Sequence, residues 1–159
     1  AINGGVIKLG RGSLDLTNCV IARNTTTQWG GGVLASGSQG TSICNVIHCT
    51  IAQNQSNLRG EGVHSKYLAT INVENSIVWG STSTNEIGLE HSGVVNIRYS
   101  NIEGSWPGEG NINLYPHFID PANGDYRLIS GSPGINSGDP TTPTDADGSR
   151  ADMGALPKE

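Results

Sequence analysis

Leu14-Asp15-Leu16-Thr17-Asn18-Cys19-Val20-Ile21-Ala22-Arg23-Asn24 and Cys44-Asn45-Val46-Ile47-His48-Cys49-Thr50-Ile51-Ala52-Gln53-Asn54 share one rhythm: apolar or small residues spaced by two, then three, then two. The frame recurs at Ile71, Val73, Ser76 and Val78 and again at Val95, Ile97, Ser100 and Ile102, the copies starting 30, 27 and 24 residues apart. A spacing of two puts side chains on one face of a strand, and a single step of three marks a bend where one residue is spent on turning. Each copy therefore reads as two short strands meeting at a corner, and the unequal lengths between copies read as loops of a solenoid that vary while its strands stay in register.

Working outward, a glycine-rich stretch precedes each frame: Gly4-Gly5, Gly30-Gly31-Gly32, Gly60 with Gly62, and Gly88. Glycine permits the turn, after which a third short strand fits at Val6 to Leu9, Val33 to Ala35 and Val63 to Ser65. Three strands per coil, stacked at about 4.8 Å, bring matching residues into ladders. Asp15, Asn45, Asn72 and Asn96 then form one outward column and Thr17, Ile47, Glu74 and Arg98 another, which makes neighbours of Glu74 and Arg98. Cys19 and Cys49 fall in the corner column with Ser76 and Ser100; small core-filling residues are one reading of these thiols and a Cys19–Cys49 disulfide the other.

Composition agrees with strands and turns rather than helices. The 159 residues include 23 Gly but one Phe and one Met, enough for a single core. Net charge is −5 and the nine Lys and Arg are scattered, which argues against a nucleic-acid partner. No apolar run reaches the roughly 20 residues of a membrane span. Three Cys without paired spacing signal neither a disulfide framework nor a zinc site. The chain enters strand pattern directly from Ala1 with no initiator Met, so a processed or trimmed product of a longer precursor is expected.

Residues 5–104, with phrases such as Leu14 to Asn24, resemble the right-handed parallel β-helix repeats of pectate-lyase-like secreted microbial proteins. The later segments Phe118 to Leu128, Gly131 to Asp139, Asp145 to Gly148 and Asp152 to Gly154 look like the C-terminal extension that follows such coils in large extracellular proteins. The resemblance implies an all-β, right-handed parallel β-helix of about four coils over 1–104, a C-terminal extension over 105–159 packing on the last coil, and a secreted or cell-surface location. It says little of activity, because this superfold hosts lyases, hydrolases, adhesins and spacers alike.

The chemistry-bearing residues divide into small sets. Arg59, His64, Lys66 and Tyr67, with His91 and Arg98, are the candidates for a lyase, which needs a base and a cation facing a uronate carboxylate. Solvated surface charges are the bland reading. Asp139, Asp145, Asp147 and Asp152 resemble half of a calcium loop, or a plain Asp-Gly turn. Trp79 and Trp106 are offered for stacking on a sugar face or for packing in a corner, and Trp29 belongs with them. Asn24 and Asn54 begin N-glycosylation sequons at equivalent positions in successive coils. The carboxylates of the coils, among them Glu61, Glu86 and Glu103, pair in no aligned column, so a hydrolytic pair is not expected.

Two functional expectations follow. An extracellular structural or adhesive solenoid, self-assembling end to end into filaments, follows from uncapped strand edges. The alternative is the C-terminal fragment of a polysaccharide lyase-like or carbohydrate-binding β-helix protein. The partner is accordingly the chain itself or an extracellular polysaccharide, with calcium the one cofactor in view.

Overall fold

The computed structural model describes residues 5–81 and 85–156, and in them the chain is an all-β parallel solenoid without helices. The strands are β1 (Ile7–Leu9), β2 (Gly12–Thr17), β3 (Val20–Ala22), β4 (Thr25–Thr26), β5 (Val33–Ser36), β6 (Ser42–Ile47), β7 (Thr50–Ala52), β8 (Gln55–Ser56), β9 (Val63–Lys66), β10 (Thr70–Glu74), β11 (Ile77–Trp79), β12 (Ile87–Glu90), β13 (Val94–Arg98), β14 (Asn101–Ile102), β15 (Phe118–Asp120) and β16 (Asp125–Leu128). Sheet A stacks β1-β5-β9-β12, sheet B β2-β6-β10-β13 and sheet C β3-β7-β11-β14. All three are parallel, and the path from β1 to β12 makes three complete turns before β13 and β14 finish the fourth rung.

The register is the one the frame requires. Leu14 pairs with Cys44, Cys44 with Ile71 and Ile71 with Val95, and Leu16, Val46, Val73 and Ile97 follow two residues on. Ile21, Ile51, Val78 and Ile102 form the third ladder. These side chains join Val33, Ala35 and Val63 of sheet A in one core, most of them fully buried.

The step of three is a left-handed residue. Asn18, His48, Asn75 and Tyr99 occupy successive rungs at φ of 52°, 48°, 48° and 46°, each just before the corner Cys or Ser. Non-glycine residues reach this region at a cost, which asparagine bears best. The corner serines help to hold the bend. Ser76 Oγ accepts from Cys49 N (3.0 Å) and donates to Glu74 O (2.7 Å), while Ser100 Oγ accepts from Ser76 N (3.1 Å) and donates to Arg98 O (2.9 Å). The three thiols are free, so the Cys19–Cys49 bridge is not formed. Burial pushes the thiols of Cys44 and Cys49 up to about 11, as suits space-filling residues.

One expectation is corrected. Gly88 is no turn: it lies inside a fourth sheet A strand, β12, where a Cβ would come within 2.2 Å of His64 Nδ1. The true turn glycines are Gly30 and Gly60, both at φ 65°. Gly4 and the outermost residues of both expected segments lie outside the described residues. The extension begins by closing the last coil. Residues 105–112 do that: Trp106 packs on the core end, and Asn111 Oδ1 accepts from Ser100 N (3.1 Å), continuing the corner ladder as the next serine would. The remainder runs along the flank of sheet C, reaching every rung. Asn101 Nδ2 donates to Leu114 O (2.7 Å), Gly154 N to Asn75 O (2.8 Å), Ala155 N to Thr50 Oγ1 (3.0 Å), and Arg23 to the carbonyls of Pro121 and Ala122. Its antiparallel hairpin β15–β16 helps to form a second small core, in which outward-facing Ile77 meets Leu128 and Met153.

At the opposite end, β1, β2 and β3 are the outer strands of their sheets, and Ile7, Leu9, Leu14, Leu16 and Cys19 are only half-buried.

Candidate functional site

Alternation along sheet B turns Leu, Val and Ile inward and leaves a polar column outside. Asn45 donates to Asp15 (2.7 Å), Asn72 to Asn45 (2.8 Å) and Asn96 to Asn72 (2.9 Å), so the column is a continuous amide ladder headed by a carboxylate. Asn45 and Asn72 each spend one N–H and part of the carbonyl on the ladder, Asn96 spends one N–H alone, and each keeps a second donor and a lone pair for another partner. The neighbouring column ends in the expected pair: Arg98 Nη2 and Nε lie 2.8 and 3.0 Å from Glu74 Oε2. Arg98 also reaches across to the flank, with Nη1 3.2 Å from Asp139 Oδ2. That contact is an ion pair rather than an aligned hydrogen bond.

A groove of about 430 Å³ runs along Asn45, Asn72, Asn96, Glu74 and Arg98. Beside it a larger cavity of about 640 Å³ opens between His48, Glu74 and the flank residues Thr142 to Asp145, with Glu74 lining both. Asn75 Nδ2 lies 3.2 Å from His48 Nε2 and its Oδ1 accepts from Asp139 N (2.6 Å), which ties the cavity wall to the corner. Nothing in the frame marked His48 and Asn75 as site residues; only their corner position, once the tail is seen to pack there, gives them this role.

Of the expected calcium set, Asp145 and Asp152 line that cavity, and Asp139 and Asp147 do not. Asp139 Oδ1 accepts from Thr141 N and Oγ1, and these bonds, followed by the charge of Arg98, hold its carboxyl below the usual range. Asp145 Oδ2 accepts from Asp152 N, Asp152 Oδ1 from Asn136 N and Asp147 Oδ1 from Ser149 N. Burial, with Asp152 and Asp147 adding repulsion, raises Asp145. These carboxylates accept from backbone N–H groups, and no group of three or more His, Cys, Asp or Glu placed to hold a metal ion is gathered among the described residues.

The lyase candidates fall on two faces. Arg98 is on sheet B, whereas His64 and Lys66 alternate on the outer side of β9 and His91 follows β12. Lys66 Nζ stands 3.7 Å above the Trp29 ring; Tyr67 and His91 stack at 4.6 Å, and His91 Nδ1 is 3.6 Å from Glu90 Oε2. His64 is fully buried beside Trp29, with neither ring nitrogen hydrogen-bonded. Burial lowers it to about 4, so the ring is neutral at ordinary pH. Arg59 is exposed, its backbone bridged to Trp29.

Of the offered aromatics, Trp106 is spent on the end cap. Trp79 is half-buried against the second core and meets Tyr115 edge-on at 6.3 Å, and Tyr115 meets His117 at 5.0 Å. Asn24 Nδ2 donates to Asn54 Oδ1 (3.0 Å), and Asn54, 1 % exposed, donates to Ile21 O (2.8 Å). The fold leaves no room for a glycan on Asn54, whose amide is part of the corner; Asn24 is half-buried.

Sequence reasoning counted Glu86 among the unpaired carboxylates of the coils and gave it no role. It is buried above Gly62, accepts from Ser81 N (2.9 Å) and is raised to about 8 by burial, to which Glu103 and Glu61 add. Only three-dimensional folding brings these carboxylates near one another, since no column of the repeat contains two of them.

No family profile matches the chain, and neither a curated protein nor a solved structure matches it; what stands is the parallel solenoid itself.

Proposed function

We propose that this chain is a secreted structural and adhesive solenoid, wound right-handed as parallel crossovers are, which holds an extracellular polysaccharide along the outer face of sheet B. The observation that carries the reading is continuity: the groove beside the amide ladder and the cavity under the flank share Glu74, so donors and acceptors line one path across all four rungs. A polyol needs donors and acceptors in alternation, and asparagine supplies both from one side chain. The ladder fixes the amides before a ligand arrives, which reduces the ordering cost of binding.

The test is a titration of the full chain with a broad panel of neutral and acidic polysaccharides, followed by the side-chain amide resonances of Asn45, Asn72 and Asn96. Shifts confined to these amides, with affinity lost in a folded Asn72→Leu variant, are expected. Failure of every glycan to bind, or binding indifferent to Asn72→Leu, overturns the reading. New polymer ends appearing in the same mixtures would instead mark a polysaccharide lyase-like enzyme.

Self-assembly is the second reading, favoured by the half-buried apolar residues of the first rung. In it β1, β2 and β3 of one copy receive the far end of the next, where Trp106 and Asn111 close the last coil, a head-to-tail contact that can repeat. Sedimentation over a range of concentrations tests it: growth into filaments supports it, and a constant monomer removes it.

A further inference from the structure

A charge reversal sits on the outer face of sheet A, away from the groove described above. There the side chains of Lys8, Ser36, Ser38, Gln39, Lys66 and Tyr67 line a cavity of about 310 Å³. Lys66 is 7 % exposed, and a buried ammonium group is ordinarily found on a carboxylate. This one is not: among the described residues neither Lys66 nor Lys8 forms a salt bridge, and Lys66 rests instead on the Trp29 ring at 3.7 Å, with Tyr67 at 5.5 Å. Glu90, which pairs with Lys66 one rung above, lies 3.6 Å from His91 Nδ1 and 30 % exposed. Burial disfavours the charge of Lys66, Glu90 attracts it without forming a salt bridge, and Lys8 repels it more weakly across the cavity, in an otherwise acidic chain. Two hydroxyls 3.2 Å apart, Ser36 Oγ and Ser38 Oγ, stand at the same wall, so at least one O–H is available to a further acceptor.

We propose that this cavity is a binding site for a compact anion, a carboxylate, sulfate or phosphate group, held between Lys66 and Lys8 with the hydroxyls of Ser36 and Ser38. The anion relieves the repulsion between the two ammonium groups and forms charge-assisted bonds to both, while the aromatic floor keeps Lys66 in place. The site is independent of the polysaccharide groove, and each stands or falls without the other.

Trp29 lies under Lys66 and is therefore the reporter. Tryptophan emission of the full chain is followed with sodium sulfate against sodium chloride at matched ionic strength, and then with dextran sulfate against neutral dextran. A saturable change with sulfate is expected, absent in Trp29→Phe and weakened at least about tenfold by Lys66→Met. Lys8→Gln, an exposed substitution, weakens it several-fold and decides the matter with Ser38→Ala if Lys66→Met does not fold. Stronger binding of dextran sulfate than of free sulfate assigns the cavity to a polymer-borne group, and equal binding per sulfate assigns it to a free ion. A response that chloride reproduces, or one unchanged in folded Lys8→Gln and Ser38→Ala, overturns the site.

Discussion

The rungs and the flank that covers them are stabilised in different ways. In the rungs each residue repeats a solution found on the rung below: apolar ladders inside, an amide ladder outside, and a left-handed residue before each corner. In the flank nearly every contact is made once. Ile77, Leu128 and Met153 form a small private core, the carboxylates of Asp139 and Asp147 cap local turns, and those of Asp145 and Asp152 tie separate stretches of the flank together. A ladder spreads a lesion over neighbouring rungs, whereas a singular contact fails alone, so the two regions should respond differently to substitution.

The largest effect belongs to the rungs. Ile71→Asp places a charge in a fully buried ladder position, should cost more than about 4 kcal/mol, and should abolish the cooperative melting transition of the whole chain. Normal stability of that variant would remove the register described here. Next is Met153→Ala, which should cost about 2–4 kcal/mol. Its loss should fall on flank docking, seen as a changed Trp79 environment with the strand signal in circular dichroism retained.

Titration separates two buried groups of opposite sign. His64 has a folded pKa near 4 against an ordinary 6.5, so the unfolded chain binds the extra proton and stability declines as pH falls from 6.5 towards 4. His64→Leu, which copies Leu34 one rung below, should flatten that slope and recover on the order of 2 kcal/mol at the acid end. Glu86 runs the other way: raised to about 8, it favours the fold below pH 4.5 and withdraws that contribution as pH climbs to 8, a slope Glu86→Gln should remove. Melting temperatures across pH 4 to 8 check both. The smallest effect is Arg98→Ala. This half-exposed guanidinium bridges Glu74 and Asp139, yet its removal should change stability by at most about 1 kcal/mol, measured by urea unfolding.

The rungs were legible because a ladder writes itself into the sequence several times. Ile71 and Val73 could be aligned with Cys44 and Val46 without any coordinates, and the Glu74–Arg98 pair followed from that alignment. Strand β12 was missed because its pattern is broken: Gly88 stands where the rung below has His64, and it was read as a turn when its lack of a side chain makes room for that ring. The flank was legible only as a resemblance. Asp139 and Asp145 look like metal ligands in one dimension, because backbone N–H groups are capped by the same oxygen-rich residues that bind cations. Likewise Asn54 fits a sequon and yet serves the corner, since the motif specifies three residues and not their burial. The neighbours of Lys66 came from three rungs and a loop, a grouping no local spacing announces.

Amide hydrogen exchange of the full chain, resolved by residue, tests the account most directly. The slowest amides should be those of β6, β7, β10 and β11, exchanging together through global unfolding, while β15, β16 and residues 139–155 form a faster class that opens as one unit. Protection as high in the flank as in the middle rungs, or a middle rung that exchanges first, would contradict a repeated stack bearing a singly fastened flank.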